Sequence, residues 1–281
     1  MVTLTRNPIS RTTRSIFDIL DFVPTCGEPA PSDGEAPCQC GGDLHQGGQV
    51  PILATKRRRV VILGGFQGGK TVVLIFKATD YLNDDIVKWQ PCVMDKRVPA
   101  DCQGHKGPQY AHLKRKGNTN PELGYCDETL LYWVAAKTYQ LTELEFLGFQ
   151  NNLIGLGMPI KPTTRTDPGS FTVHYPGERY PRIRVETKSE RDAETAFSRV
   201  SPHGILIAEM GQIQFSSYSS MNERTAGKNG WLIGAGTIED SQPWYASLGA
   251  AWEFADDDRI SFSLSTYSNT VLFHLGRQDP A

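Results

Sequence analysis

The 281-residue sequence lacks any apolar run near the ~18–20 residues that a membrane-spanning helix requires. Its longest apolar stretches, 72–76 and 130–136, suit buried core elements, so no membrane association is expected. The first twenty residues carry Arg6, Arg11 and Arg14 and no continuous apolar core, which argues against a secretory leader. A dominant charge is also missing. With 29 Lys and Arg against 31 Asp and Glu the net charge is −2, which excludes a protein that coats nucleic acid but not one that grips it with a few residues. The basic clusters at 56–59 and at Lys114, Arg115 and Lys116 read first as solvated surface. Paired C-x2-C spacings are absent from the six cysteines, so the expectation is reduced thiols. Two looser groupings, Cys26, Cys38, Cys40 and His45 and then Cys92, Cys102, His105 and Cys126, have enough ligands for zinc but not the spacing of a zinc site. There is no internal repeat. What remains is ordinary globular composition, 39% hydrophobic and 21% charged, in a chain long enough to bury a core without metal or disulfide help.

Residues 1–48 are rich in Pro, Gly and Ser around a single apolar patch, and read as an irregular lead-in or lid segment with one short helix at 14–22. From residue 49 onward the texture is that of a folded domain. Val60, Val61, Ile62 and Leu63 form a short apolar run ending in glycines, the mark of a buried strand in a parallel sheet. A buried helix is predicted over 71–82. Residues 84–128 are polar and proline-bearing, and read as an insertion. Further strands are predicted at 130–136, 182–186, 204–208, 231–235 and 260–265, with helices at 139–156, 217–226 and 242–253 and a loop over 158–181. Strands alternating with helices imply a mainly parallel α/β sheet flanked by helices.

Between the first strand and its helix stands Gly64-Gly65-Phe66-Gln67-Gly68-Gly69-Lys70-Thr71, which fits G-x4-G-K-[ST] without a mismatch. A tight glycine turn directs successive backbone N–H groups inward, and the following helix adds its positive end. In such a P-loop, Lys70 reaches the β- and γ-phosphates of ATP and the Thr71 hydroxyl ligates Mg²⁺. Chemistry also needs a carboxylate at the end of a neighbouring strand to orient or deprotonate water. Glu209 follows four apolar residues and is the candidate. The position before it, where an aspartate would help hold magnesium, is Ala208; Asp192 and Asp240 are alternative carboxylates between which the sequence does not choose.

The order of these motifs resembles the ATPase domain of the large terminase subunit of tailed phages. Val134-Ala135-Ala136-Lys137-Thr138-Tyr139 is similar to the strand end that follows the P-loop in that family. The stretch 205–212, with Glu209, matches its Walker B strand, and Gly236-Thr237 followed by Tyr245 resembles its coupling motif; 263–269 resembles the stretch beyond the core. The resemblance covers about residues 58–276. It implies a P-loop NTPase fold of the ASCE, RecA-like kind over 49–281, with ATP and Mg²⁺ as cofactors and hydrolysis driving double-stranded DNA movement. It further implies a homo-oligomeric ring acting with a portal protein and a small terminase subunit in the cytoplasm of a bacterial host. Thr237 would sense the γ-phosphate, Gln49 would read adenine, and Arg199, with Arg224 as rival, would act across a subunit boundary. Phe66 stands where the family often has arginine. No nuclease domain of the kind found in that family fits within this sequence, so no nuclease activity is expected. Two other readings remain: a different nucleic-acid-stimulated P-loop ATPase, and a slow nucleotide-dependent switch.

Overall fold

A computed structural model describes residues 16–22, 48–65, 68–95, 97–98, 124–125, 129–174, 183–192, 200–239, 242–253 and 258–265. The first strand, β1 (Arg59–Gly64), is followed by the long helix α3 (Lys70–Asp95); short helices α1 (Ile16–Ile19) and α2 (Val50–Ala54) precede them. A small hairpin pairs β2 (Arg97–Val98) with β3 (Gly124–Tyr125). Then come β4 (Leu130–Ala136), α4 (Glu143–Gly155), β5 (Ser170–Val173), β6 (Ile183–Ser189), β7 (Gly204–Ile207), α5 (Phe215–Ala226), β8 (Trp231–Gly236), α6 (Pro243–Trp252) and β9 (Arg259–Leu264).

Seven strands form one sheet in the order β5-β6-β4-β7-β8-β1-β9, parallel throughout except for the antiparallel β5–β6 edge. The central strands are continuous apolar runs because both of their faces are covered. Val60 and Ile62 pack with Val73, Leu74, Phe146 and Phe149 of α3 and α4, whereas Val61 packs with Ile205, Ile207, Tyr218 and Tyr245 on the α5–α6 side. One consequence matters for the site: β8 lies between β1 and β7, so the ends of all three strands meet along the same sheet edge.

Three expectations change. Helix α3 runs to Asp95, so residues 84–95 are not the start of an insertion. Burial explains this: Ile86 lies in the core, and the Asp85 carboxylate accepts hydrogen bonds from the Tyr132 hydroxyl (3.2 Å) and from Trp231 Nε1 (3.0 Å). The region 158–181, read as loop, contains β5, whose Phe171 and Val173 alternate into the core beside β6. And within the basic stretch at 56–59 Arg59 departs from the surface reading: it is buried and donates to Asn222 Oδ1 (2.8 Å) and the Gly230 carbonyl (2.7 Å), while Lys56 stays exposed and pairs with Asp80 and Asp84. Among the described residues no helix is long and apolar enough to cross a membrane.

Candidate nucleotide site

The glycine turn is shaped by backbone it touches. A Cβ on Gly64 would stand 2.4 Å from the carbonyl oxygen of Leu264 at the end of β9, so no side chain fits there. Gly69 has φ +75°, a left-handed conformation that glycine adopts without the Cβ penalty. A Cβ there would also come within 2.7 Å of Gln49 Nε2, which donates to the Gly69 carbonyl at 3.3 Å. Gln49 is only 4% exposed and stands just before α2, so the segment before β1 braces the loop directly.

Lys70 opens α3 with its ammonium turned back over the loop. It donates to the carbonyls of Gly64 (3.1 Å) and Gly65, and to the Thr237 hydroxyl at 3.4 Å. Thr237 follows directly on β8, which places the lysine between the P-loop and the end of the neighbouring strand. Burial pushes the Lys70 pKa down, and the nearby negative charge of Glu209 opposes that shift. Glu209 itself follows β7 in a left-handed conformation (φ 44°), uncommon for a residue with a side chain. That bend ends the strand and starts the 3₁₀ turn Met210–Gln212, whose Gly211 lies against Thr237: a Cβ on Gly211 would meet the Thr237 carbonyl oxygen at 2.1 Å. The Ala208 methyl is wholly buried and its N–H donates to Ala135, so this position offers no oxygen ligand.

A second carboxylate, absent from the residues the sequence had marked, enters from α4. Glu145, in the first turn of α4, is 4% exposed. Burial raises its pKa to about 7; the polarity of the nearby Thr71 hydroxyl pulls the other way, and the Glu209 charge adds to the rise. Its arrival follows from helix packing. Two contacts at matched helical spacing join α3 and α4: Ile75 with Gly148 and Thr79 with Asn152. At the first a Cβ on Gly148 would lie 2.6 Å from Ile75 Cδ1, so glycine allows the close approach of α4 to α3.

No protein-family profile matches the sequence, and none of the curated proteins does. Solved structures do match. The large terminase ATPase domain of Thermus phage P74-26 superposes with a TM-score of 0.56 at 13% identity, over 94% of this chain and 91% of that one. A point mutant of the same domain gives 0.53 at 12% identity, over 94% and 92%. The chain has the fold of a phage large-terminase ATPase domain. The full large terminase of a thermophilic bacteriophage matches at 0.50 and 12% identity over 79% of this chain, but over 46% of its own length.

Within this terminase-like fold, Gly64, Gly65, Gly68, Gly69, Lys70, Thr71, Gln49, Glu209 and Thr237 gather at one sheet edge. Phe66, Gln67, Arg199 and Asp240 lie outside the described residues, as do both cysteine and histidine groupings apart from the backbone of Cys92 in α3. Asp192 closes a short 3₁₀ turn after β6, two strands beyond β7. Arg224 is in the last turn of α5, which returns the chain to the start of β8, and so lies toward the edge opposite the P-loop.

Proposed function

We propose that this chain binds ATP with magnesium at the 64–71 turn and hydrolyses it, and that turnover drives double-stranded DNA through a terminase-like ring. The observation that carries this reading is the position of Lys70, whose ammonium touches both the glycine loop and Thr237 while Glu209 faces it from the next strand but one. Phosphoryl transfer asks the protein mainly for positioning and for charge where charge develops. A cation held over the glycine loop, a hydroxyl at the adjacent strand end and a carboxylate after β7 suit that demand.

In this reading Lys70 neutralises the β- and γ-phosphates, Glu209 orients and deprotonates water, and Thr237 reports the γ-phosphate to the rest of the sheet. Gln49, whose amide braces the loop, is the adenine reader, and Arg199 is the arginine offered to a neighbouring subunit. Magnesium is suited to hard oxygen donors such as the Thr71 hydroxyl and phosphate oxygens, and would keep several waters of its own. When bound, it offsets phosphate charge. Double-stranded DNA, a portal protein and a small terminase subunit are the partners this reading assigns, in a bacterial host's cytoplasm. The fold likeness to terminase ATPase domains supports the assignment.

A slow nucleotide switch is the second reading, favoured by Ala208 in place of an acidic residue and by Phe66 in the loop. Steady-state phosphate release separates the two. The motor predicts turnover that rises with double-stranded DNA or partner proteins and collapses in Lys70→Ala and Glu209→Gln. Bound nucleotide with little turnover and no response to DNA would favour the switch.

A further inference from the structure

Glu209 and Thr237 stand just past the ends of neighbouring strands, β7 and β8, and the segments that follow them meet again beyond the site. The second meeting is a side-chain pair that neither proposed role uses. Gln212 Nε2 donates to Glu239 Oε1 at 3.0 Å, across 27 residues of sequence. An ionised carboxylate only accepts, so the amide must present its NH₂ end here. The backbone N–H of Gln212 meanwhile donates to the Glu209 carbonyl at 2.9 Å. Gln212 thus holds the turn that starts at Glu209 with its main chain and the segment after Thr237 with its side chain.

We infer that the Gln212–Glu239 hydrogen bond positions Glu209 against Thr237, so that the segment carrying the γ-phosphate sensor also holds the water-directing carboxylate in place. Three observations carry this. Glu209 has φ 44°, a conformation that a residue with a side chain keeps only when its surroundings over-determine it. The turn after it is tied on several sides. The Ile213 carbonyl accepts from Trp244 Nε1 (2.9 Å), the Gln214 N–H donates to Glu190 Oε1 (2.8 Å), and Gln212 supplies the side-chain tie toward residues 237–239. The third is the lack of slack between the two segments. A Cβ on Gly236 would stand 2.7 Å from the Gly211 nitrogen, so they pack backbone to backbone and a shift of one displaces the other. Gln212 and Glu239 are both half-buried, which shields their bond from water without placing it in the core. Gln212 is therefore a positioning residue: it acts through Glu209 and not on the nucleotide.

This inference rests on the ATP-hydrolysis reading, and the experiment separates the two. Wild type, Gln212→Leu, Glu239→Leu, the double leucine variant and the exchanged pair Gln212→Glu/Glu239→Gln are compared by hydrogen exchange without nucleotide and by steady-state ATP turnover. Each leucine variant is expected to speed amide exchange over 209–214 while β1 and β4 stay protected. Each should also lower kcat by about 10–100-fold, the scale of a small misplacement at the reacting centre, with KM for ATP within about twofold. The double variant falls no further than either single one, because only one contact is lost. The exchanged pair, with the amide now at 239 and the carboxylate at 212, restores both exchange protection and kcat. If a leucine variant does not fold, Gln212→Glu alone, which sets two carboxylates face to face, is compared with the exchanged pair and shows the same loss and recovery. Unchanged kcat in the single variants that fold, or losses that multiply in the double variant, overturns the inference and leaves the ATP reading standing. A wild type that does not hydrolyse ATP overturns both.

Discussion

Tyr245, on α6, donates its buried hydroxyl to the carbonyl of Ile62 in the P-loop strand at 2.8 Å and lies 3.4 Å from the carbonyl of Gly236, the residue before Thr237. One side chain therefore ties the strand that enters the nucleotide loop to the strand end that touches Lys70. Removal of this hydroxyl leaves a buried carbonyl with one partner fewer. Tyr245→Phe is expected to lower unfolding free energy by about 1–1.5 kcal/mol, seen as a lower urea midpoint at unchanged slope. It should also reduce the response of turnover to DNA more than it reduces ATP affinity.

Glu209→Gln keeps the shape of the side chain and removes its basicity. Nucleotide affinity should change little, while phosphate release falls by about 10²–10⁴-fold, the usual contribution of a positioned acid or base. Equal turnover in the variant would take Glu209 out of the chemistry.

Gly211→Ala tests the contact between the turn after Glu209 and Thr237. The added methyl would meet backbone, not a movable side chain, so one of the two segments must shift. Overpacking of this kind costs about 1–3 kcal/mol of stability. A displacement near 1 Å at the site can lower turnover by on the order of 10². Thermal melting and phosphate release on the same preparation separate the two effects.

Much of the site was legible in the sequence because a P-loop is local: glycines, lysine and threonine at fixed offsets dictate one turn and one helix start. Glu209 was legible too, as the first polar residue after the apolar run of β7. Glu145 was not. It reads as one of two acidic residues in the first turn of a helix, and only the packing of α4 on α3, through Gly148 and Ile75, buries it. The available hint was an acid in register with Gly148 and Asn152 on a face that also carries Phe149, since a buried helix face seldom keeps a carboxylate without a partner. The helix end was misjudged for a related reason. Polar residues from Asn83 onward, and Pro91, suggested a loop, whereas Asp85 is polar because it accepts hydrogen bonds from two buried aromatics on β4 and β8.

The raised pKa of Glu145 carries a pH signature in metal-free, nucleotide-free protein. Its carboxyl titrates near 7 when folded, against an ordinary value of 4.5, with Thr71 and Glu209 facing it. Between those values the folded state holds a proton that the unfolded chain has released, so stability falls as pH rises through the window. The wild type should match Glu145→Gln near pH 4 and become less stable than it by up to on the order of 2–3 kcal/mol at pH 7.5. Denaturant titrations of both proteins in EDTA at those two pH values measure this, and parallel pH profiles would contradict it.

The central claim is electrostatic: the glycine turn at 64–71 and the one ammonium at the start of α3 bind a triphosphate. Equilibrium titration with a fluorescent ATP analogue, on wild type and Lys70→Ala with matched circular dichroism, tests it most directly. Saturable binding by the wild type, weakened about 10–100-fold in Lys70→Ala, is the predicted result, in keeping with the loss of charged hydrogen bonds. No binding by the wild type, or equal binding by both, would contradict it.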